Sequence, residues 1–228
     1  MKTPRRFGLL VLALTVAAPL AARAQEINLS NLDDGPTNRV QVRTGAEYGF
    51  VAGVGYARTL ALPGLDRPVL VTGDLTAPWA HVDASDYRLR LGALMPIAGA
   101  GRWRIAGTLA PTLRHTKNDV AVMTGLGADL GVVGGYYARH WFAAGEVGYD
   151  WIGTTHIANS DLYRRFVYAN ARDGWYGEGA SGNIRAGIQA GATFGRYDLA
   201  LRAGALRDAA GEAPLLPFYA TLGLSTRF

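Results

Sequence analysis

The sequence predicts an all-β chain: a closed antiparallel transmembrane β-barrel of about ten strands (eight or twelve are the alternatives), preceded by a signal peptide. Three observations lead there. Apolar and polar residues alternate with period two through most of residues 39–228. The final stretch, 218–228, alternates without a break and ends on an aromatic. Trp, Tyr and Phe collect at the ends of the expected strands. A sheet with lipid outside and a polar lumen inside requires this pattern, and closing it removes every edge.

In the closing stretch Phe218, Ala220, Leu222, Leu224, Thr226 and Phe228 fall on one face, and Tyr219, Thr221, Gly223, Ser225 and Arg227 on the other. It resembles the C-terminal assembly signal of bacterial outer-membrane barrels, with Phe218, Leu222, Leu224 and Phe228 carrying the pattern. The resemblance implies a Gram-negative outer membrane as the location and its lipid as the surroundings. It also implies periplasmic chaperones and the barrel-assembly machinery as partners during biogenesis.

Residues 1–24 read as a secretory signal peptide, with basic Lys2, Arg5 and Arg6, an apolar run over 8–21, and Ala22-Arg23-Ala24 for cleavage. The run of about fourteen residues is too short for a spanning helix. The leader holds four of the 23 basic residues and no acid, so 19 basic face 18 acidic residues in the mature chain. That near-neutral balance removes the support a basic chain would lend to nucleic-acid binding. Lys117 is the one lysine left beside eighteen arginines. With no cysteine, a disulfide framework, a thiol nucleophile and a lipidated cysteine are all excluded.

Residues 25–37 read as a polar lead-in without structure of its own, and 38–228 as the barrel. From Arg39 the alternation puts Val40, Val42, Thr44, Ala46 and Tyr48 outward and Arg39, Gln41, Arg43, Gly45 and Glu47 inward. The phase runs on to Tyr56, so this is one long strand or a hairpin turning near Glu47-Tyr48-Gly49. An even strand number favours the hairpin. Further strands are expected near 69–79, 87–97, 103–113, 126–136, 141–151, 184–194, 197–206 and 218–228. Short turns at 63–66, 99–101, 138–140 and 195–196 alternate with longer connections at 80–86, 114–124, 154–182 and 207–214, which places the short turns on the periplasmic side. Trp103, Tyr136, Trp141, Phe194, Tyr197 and Phe228 adjoin those turns, and Trp79, Tyr87, Tyr149 and Trp151 lie at the opposite strand ends. Two aromatic belts are expected to result. Pro96 and Pro111 fit poorly inside strands, where each removes a ladder hydrogen bond, and are expected at ends or bulges.

The expected lumen carries Arg39, Arg43, Glu47, Asp74, Arg88, Arg90, Arg104, Asp129, Glu146, Asp150, Arg185, Arg202 and Arg227, with basic residues in excess. Two readings follow: an ion-pair network holding a narrow barrel together, or a wet, arginine-lined passage favouring anions. Inward glycines such as Gly53, Gly131, Gly187 and Gly204 leave room for water or for a plug drawn from 25–37 or 154–182, unless they only relieve strain in a curved sheet.

Two functional classes are therefore expected: a small passive channel, or a non-conducting barrel displaying the 154–182 loop for binding or envelope structure. In that loop Tyr163, Arg164, Arg165, Tyr168, Trp175 and Tyr176 combine the aromatic and arginine side chains typical of recognition surfaces. A third class, an outer-membrane hydrolase, would draw on His81, Asp83, Asp86, His115, Asp119, His156 and Asp161 in the outer loops. No spacing there matches a hydrolase motif: there is no G-x-S-x-G and no H-E-x-x-H. The glycines of 125–131 lack G-x-G-x-x-G spacing, so nothing points to a nucleotide or another cofactor.

Overall fold

A computed structural model describes residues 27–32, 34, 37–79, 85–177, 182–209 and 216–228. The expected signal peptide falls outside them, as do His81 and Asp83. The chain forms a closed antiparallel barrel of ten strands: β1 (Asn38–Ala46), β2 (Phe50–Leu60), β3 (Val69–Pro78), β4 (Asp86–Ala100), β5 (Trp103–Lys117), β6 (Ala121–Tyr137), β7 (Trp141–Asn159), β9 (Gly182–Phe194), β10 (Tyr197–Asp208) and β11 (Phe218–Arg227). A short helix α1 (Asp161–Phe166) and a four-residue strand β8 (Gly174–Gly177) follow β7, and β8 pairs on its upper part, beyond the stretch where β9 pairs. Pairing of β1 with β11 closes the sheet.

The first stretch is a hairpin, turning at 47–49 between β1 and β2. One end of the barrel holds 61–68, 101–102, 138–140, 195–196 and Phe228 (the turn end). The other holds 47–49, 118–120 and 160–173 (the loop end). Two expected connections are largely strand instead. β5 and β6 run to within three residues of each other across 118–120, and β7 extends through 154–159. Period-two hydrophobicity fades there because successive residues are alike, polar over 114–117 and 154–156 and apolar over 121–123, yet the ladder continues from Leu126↔Thr154 to Ala121↔Asn159.

The stagger that closes the barrel can be read from the register. Starting at Thr155 on β7, paired residues lead through Gly125, Arg114, Arg88, Thr76 and Gly53 to Arg43. They continue through Gly223, Ala200 and Gly191 and return to β7 at Phe142, thirteen positions from the start (155 − 142). One of those positions is the bulge at Gly153, where the β6–β7 register shifts. A stagger of about twelve over ten strands spaced about 4.8 Å apart tilts them by about 40° and gives a radius of about 10 Å.

The two prolines resolve differently. Pro96 sits at the β4–β5 register shift, so its missing N–H falls at a bulge. Pro111 lies inside β5 and pairs with Ala128 of β6, whereas on the β4 side the ladder skips from Arg90↔Thr112 to Ala93↔Leu109. The ladder simply lapses where the proline has no donor.

Burial alternates along the strands in the reverse of a soluble core. Val40, Val54, Leu75, Met95, Leu109, Leu130, Val147, Ile188, Leu201 and Leu222 are exposed on the outside, while Arg39, Asp74, Arg90, Asp129, Arg202 and Thr221 are buried within. Phe218, Leu222, Leu224 and Phe228 all stand on the exposed face. Near the turn end Trp103 meets Tyr136 edge-on at 5.8 Å and Tyr136 stacks on Trp141 at 5.2 Å.

The lead-in does have structure. A 3₁₀ turn over Leu29–Leu32 enters the turn end of the barrel. Ile27, Leu29 and Leu32 are buried against Leu70, Leu94, Val133, Tyr137 and Phe142, an apolar cluster confined to that end. Asn28 Nδ2 donates to the carbonyl of Ala138 at 2.7 Å and to Thr193 Oγ1 at 3.1 Å, and Asn31 Nδ2 donates to Asp198 at 3.3 Å. The segment is a plug, seated by three aliphatic side chains and fixed by two amides. Leu32→Ala should therefore cost roughly 2–4 kcal/mol, as other buried leucine truncations do, while far-ultraviolet circular dichroism stays that of a β-barrel. Urea titration of the refolded chain in detergent, followed by tryptophan fluorescence, measures it.

Candidate functional site

The candidate site is the barrel interior at mid-height together with its loop-end mouth. Inward parity on β1, β3, β4, β6, β7, β9 and β10 brings charged side chains to one narrow space. Six arginines meet six carboxylates among the described residues. Arg39 bonds Asp198 at 3.0 Å. Arg43 reaches Asp74 at 3.0 Å and Glu47 at 3.8 Å, and Arg90 reaches the same two acids at 3.2 and 3.3 Å. Arg88 meets Asp150 at 2.5 Å and Arg202 meets Glu146 at 2.6 Å. Arg185 grips Asp129 with both Nη atoms, at 2.7 and 2.8 Å.

Five of these contacts skip at least one strand: β1 to β3, β1 to β10, β4 to β7, β9 to β6 and β10 to β7. Only long side chains reaching over the intervening strands can do so. The arrangement also balances charge where the sequence suggested an arginine excess. The two arginines beyond the six differ from them: Arg104 is only half-buried, and Arg227 lies at the turn end, where it bonds the Gly195 carbonyl at 2.6 Å and pairs with Asp34 at 3.3 Å.

Inward glycines lie beneath these long side chains. A Cβ on Gly148 or Gly131 would collide with the Arg185 guanidinium, and one on Gly53 would press on Thr76 and Arg43. A Cβ on Gly187 or Gly204 would strike the Tyr219 hydroxyl, which crosses both residues to donate to Glu146. The Tyr219 ring in turn lies 4.6 Å from the Arg202 guanidinium carbon.

Toward the loop end a cavity of about 60 Å³ remains, lined by Glu47, Tyr48, Arg88, Asp150, Asn183, Arg185, Arg202, Leu206 and Tyr219. It has room for about four waters. Tyr48 is a correction: the alternation placed it outward, but it stands at the apex of the turn at 47–49, outside either strand, and lies over the mouth. Its hydroxyl donates to Thr76 Oγ1 at 3.4 Å, and the Arg114 guanidinium lies 4.2 Å from its ring. Burial pushes the Tyr48 hydroxyl above its ordinary pKa.

Three functional positions went unnoticed in the sequence. Asp198 has the inward parity of Ala200 and Arg202, which was a usable signal, and it is fully buried. Asn28 and Asn31 gave no signal beyond their neighbours Ile27, Leu29 and Leu32.

The 154–182 segment does not gather its six candidates on one face. Ser160 caps α1 by accepting from the Tyr163 amide at 3.1 Å. Arg164 is spent on Asp173, at 2.6 Å, with Asp161 at 3.7 Å. Arg165 lies 5.4 Å from the Phe166 ring, and Tyr168 is exposed. Trp175 and Tyr176 are adjacent in β8 and so point to opposite faces. Of the loop acids and histidines, Asp86 opens β4, His115 is in β5, His156 is in β7 and Asp161 opens α1, so these are strand and helix residues where loops were expected. Among the described residues no three His, Cys, Asp or Glu side chains group to hold a metal. Compared with known proteins, the chain matches no family model and no curated sequence.

Two outcomes follow from these contacts. Glu146→Leu strands Arg202 in a buried site and should cost about 3–5 kcal/mol, whereas adding Arg202→Met to it should recover most of that loss. Urea midpoints of the two variants decide it. Asp173 accepts from the Asn159 amide at 2.8 Å and from Arg164, and chiefly that backbone bond holds its carboxyl below the ordinary 3.8. Its bracing is therefore present above pH 3.8 and lost as pH falls through the lowered value. Hydrogen exchange at the Asn159 amide should accelerate several-fold in Asp173→Asn at neutral pH, and in the native chain only below that window.

Proposed function

We propose that this chain is an integral β-barrel of a bacterial outer membrane, made with a cleaved signal peptide, whose lumen is occluded and whose loop end is a display surface. The observation that carries the reading is the inverted polarity: a continuous apolar exterior around a charged interior. Water gives no reason for that exterior, and lipid does. The terminal Phe218, Leu222, Leu224 and Phe228 then serve as the assembly signal, with periplasmic chaperones and the barrel-assembly machinery as partners in biogenesis.

Strand geometry supports the display half. A tilt near 40° raises each residue about 2.5 Å along the barrel axis, so an apolar band about 25 Å tall takes about ten residues. On β7 that band runs from Trp141 to Trp151. The remaining eight residues to Asn159 lift α1 about 20 Å beyond it, while β8, paired with Thr154–Ile157, lies lower. Leu162, Phe166 and Tyr168 are exposed on and after α1, above any lipid that would cover them.

The interior favours this reading over a passive channel. The plug at 27–32 occupies the turn end, six arginines and six carboxylates are paired within the lumen, and a cavity of about 60 Å³ lies toward the loop end. A refolded chain of residues 25–228 should insert into planar bilayers and pass no steady current. A steady conductance abolished by neutralising Arg88 and Arg90 would overturn the occluded lumen in favour of an anion passage.

A further inference from the structure

Outside the lumen, one row of side chains is not required for closing the barrel. Tyr87, His115, Thr124, His156 and Trp175 are successive register partners across β4, β5, β6, β7 and β8. They stand on the convex face, because they share the parity of the outward Leu126 two residues from Thr124. Contacts run along the row. Tyr87 stacks on His115 at 5.2 Å, His115 Nδ1 and Thr124 Oγ1 lie 3.1 Å apart, and His156 meets Trp175 edge-on at 5.1 Å.

The rows on either side make this one informative. The next outward row toward the turn end is aliphatic, Leu89, Leu113 and Leu126. The next toward the loop end begins with Lys117, paired with Val122. Lys117 is exposed, forms no ion pair among the described residues, and is the only lysine besides Lys2. On β4 and β5 the surface passes from leucine, through aromatic and imidazole, to the ammonium of Lys117; further along, the lower row continues to Thr154 and the upper to Val122 and Ala158. A lipid presents the matching sequence of acyl chain, polar headgroup body and phosphate.

The stagger also sets how the row lies. Paired residues descend toward the turn end on passing from β7 to β4, so the strip is oblique. Across four strand spacings it climbs about 12 Å from Tyr87 to Trp175. It therefore crosses the depth of a headgroup layer rather than tracing its plane. A plain aromatic belt, indifferent to headgroup chemistry, has no need of a free ammonium beside two imidazoles.

We propose that this strip binds the phosphate-bearing headgroup of an outer-leaflet lipid. Its chains lie on the leucine row, its headgroup against the rings, and its phosphate at Lys117 with imidazole N–H donors from His115 and His156. The inference rests on the membrane reading above. The test uses the refolded chain in phosphatidylcholine vesicles containing a minor fraction of phosphatidic acid, with retained lipid counted by native mass spectrometry. Phosphatidic acid should be retained about tenfold over phosphatidylcholine, and about twofold or less in the Lys117→Gln/His156→Gln double variant, whose circular dichroism should match the parent. Equal retention of the two lipids, or a preference unmoved by the double variant, overturns the strip while leaving membrane insertion intact. Displacement of the lipid by millimolar inorganic phosphate alone reassigns the strip to the free ion and overturns the lipid. A chain that fails to enter the vesicles at all overturns the membrane reading and this inference together.

Discussion

Closing ten strands at a radius of about 10 Å leaves an interior only a few side chains wide, and everything inside depends on that width. An arginine projecting inward reaches carboxylates two or three strands away, so a charge placed inward finds its counter-charge within the lumen. Arg202 and Glu146, Arg185 and Asp129, and Arg88 and Asp150 each form this way, between strands that share no ladder. Unpaired, each such charge would cost several kcal/mol. The same width explains the glycines: where Arg185 or Tyr219 crosses a strand, that strand must lack a Cβ. Glycine and arginine are thus two halves of one packing solution, large side chains laid over absent ones.

Much of the fold was legible in the sequence for a physical reason. An apolar exterior and a polar interior write period two into every strand of the wall, so β9, β10 and β11 and the inward parity of Arg39, Arg43 and Arg90 could be read from alternation alone. Legibility ends where the two faces stop differing. At the tips of β5, β6 and β7 successive residues are alike (polar over 114–117 and 154–156, apolar over 121–123), and 114–124 and 154–159 accordingly looked like loops although the ladder runs through them. Tyr48 was misplaced because it is the apex of a tight turn that keeps the phase of its two strands, so the alternation runs through it without marking the turn.

Other features were hidden because they depend on register. Ile27, Leu29 and Leu32 form a plug only because an apolar patch of Leu70, Leu94, Val133 and Phe142 lines one end of the interior, and those four residues come from four different strands. Likewise Tyr87, His115, Thr124, His156 and Trp175 are scattered over 89 positions (175 − 87 + 1) and become neighbours through four separate pairings. Alternation tells which face a residue occupies. It does not tell its height, and height decides which side chains meet.

Height also divides the interior into two layers with different chemistry. At the turn end, the plug and its apolar cluster are held by burial, which has no preferred direction. At mid-height, Arg–carboxylate pairs are held by directed bonds that leave little freedom to regroup. A path for solute along the axis would have to displace the first layer and separate the second. Breaking even one pair by removing a partner costs about 3–5 kcal/mol in comparable sites, a large fraction of the roughly 5–15 kcal/mol that stabilises a typical domain. The proposed occlusion therefore follows from how the barrel is held together. The side chains that would line a passage are the ones that keep its walls in register, so the proposed chemistry falls on the outside, on the convex strip and the loop end.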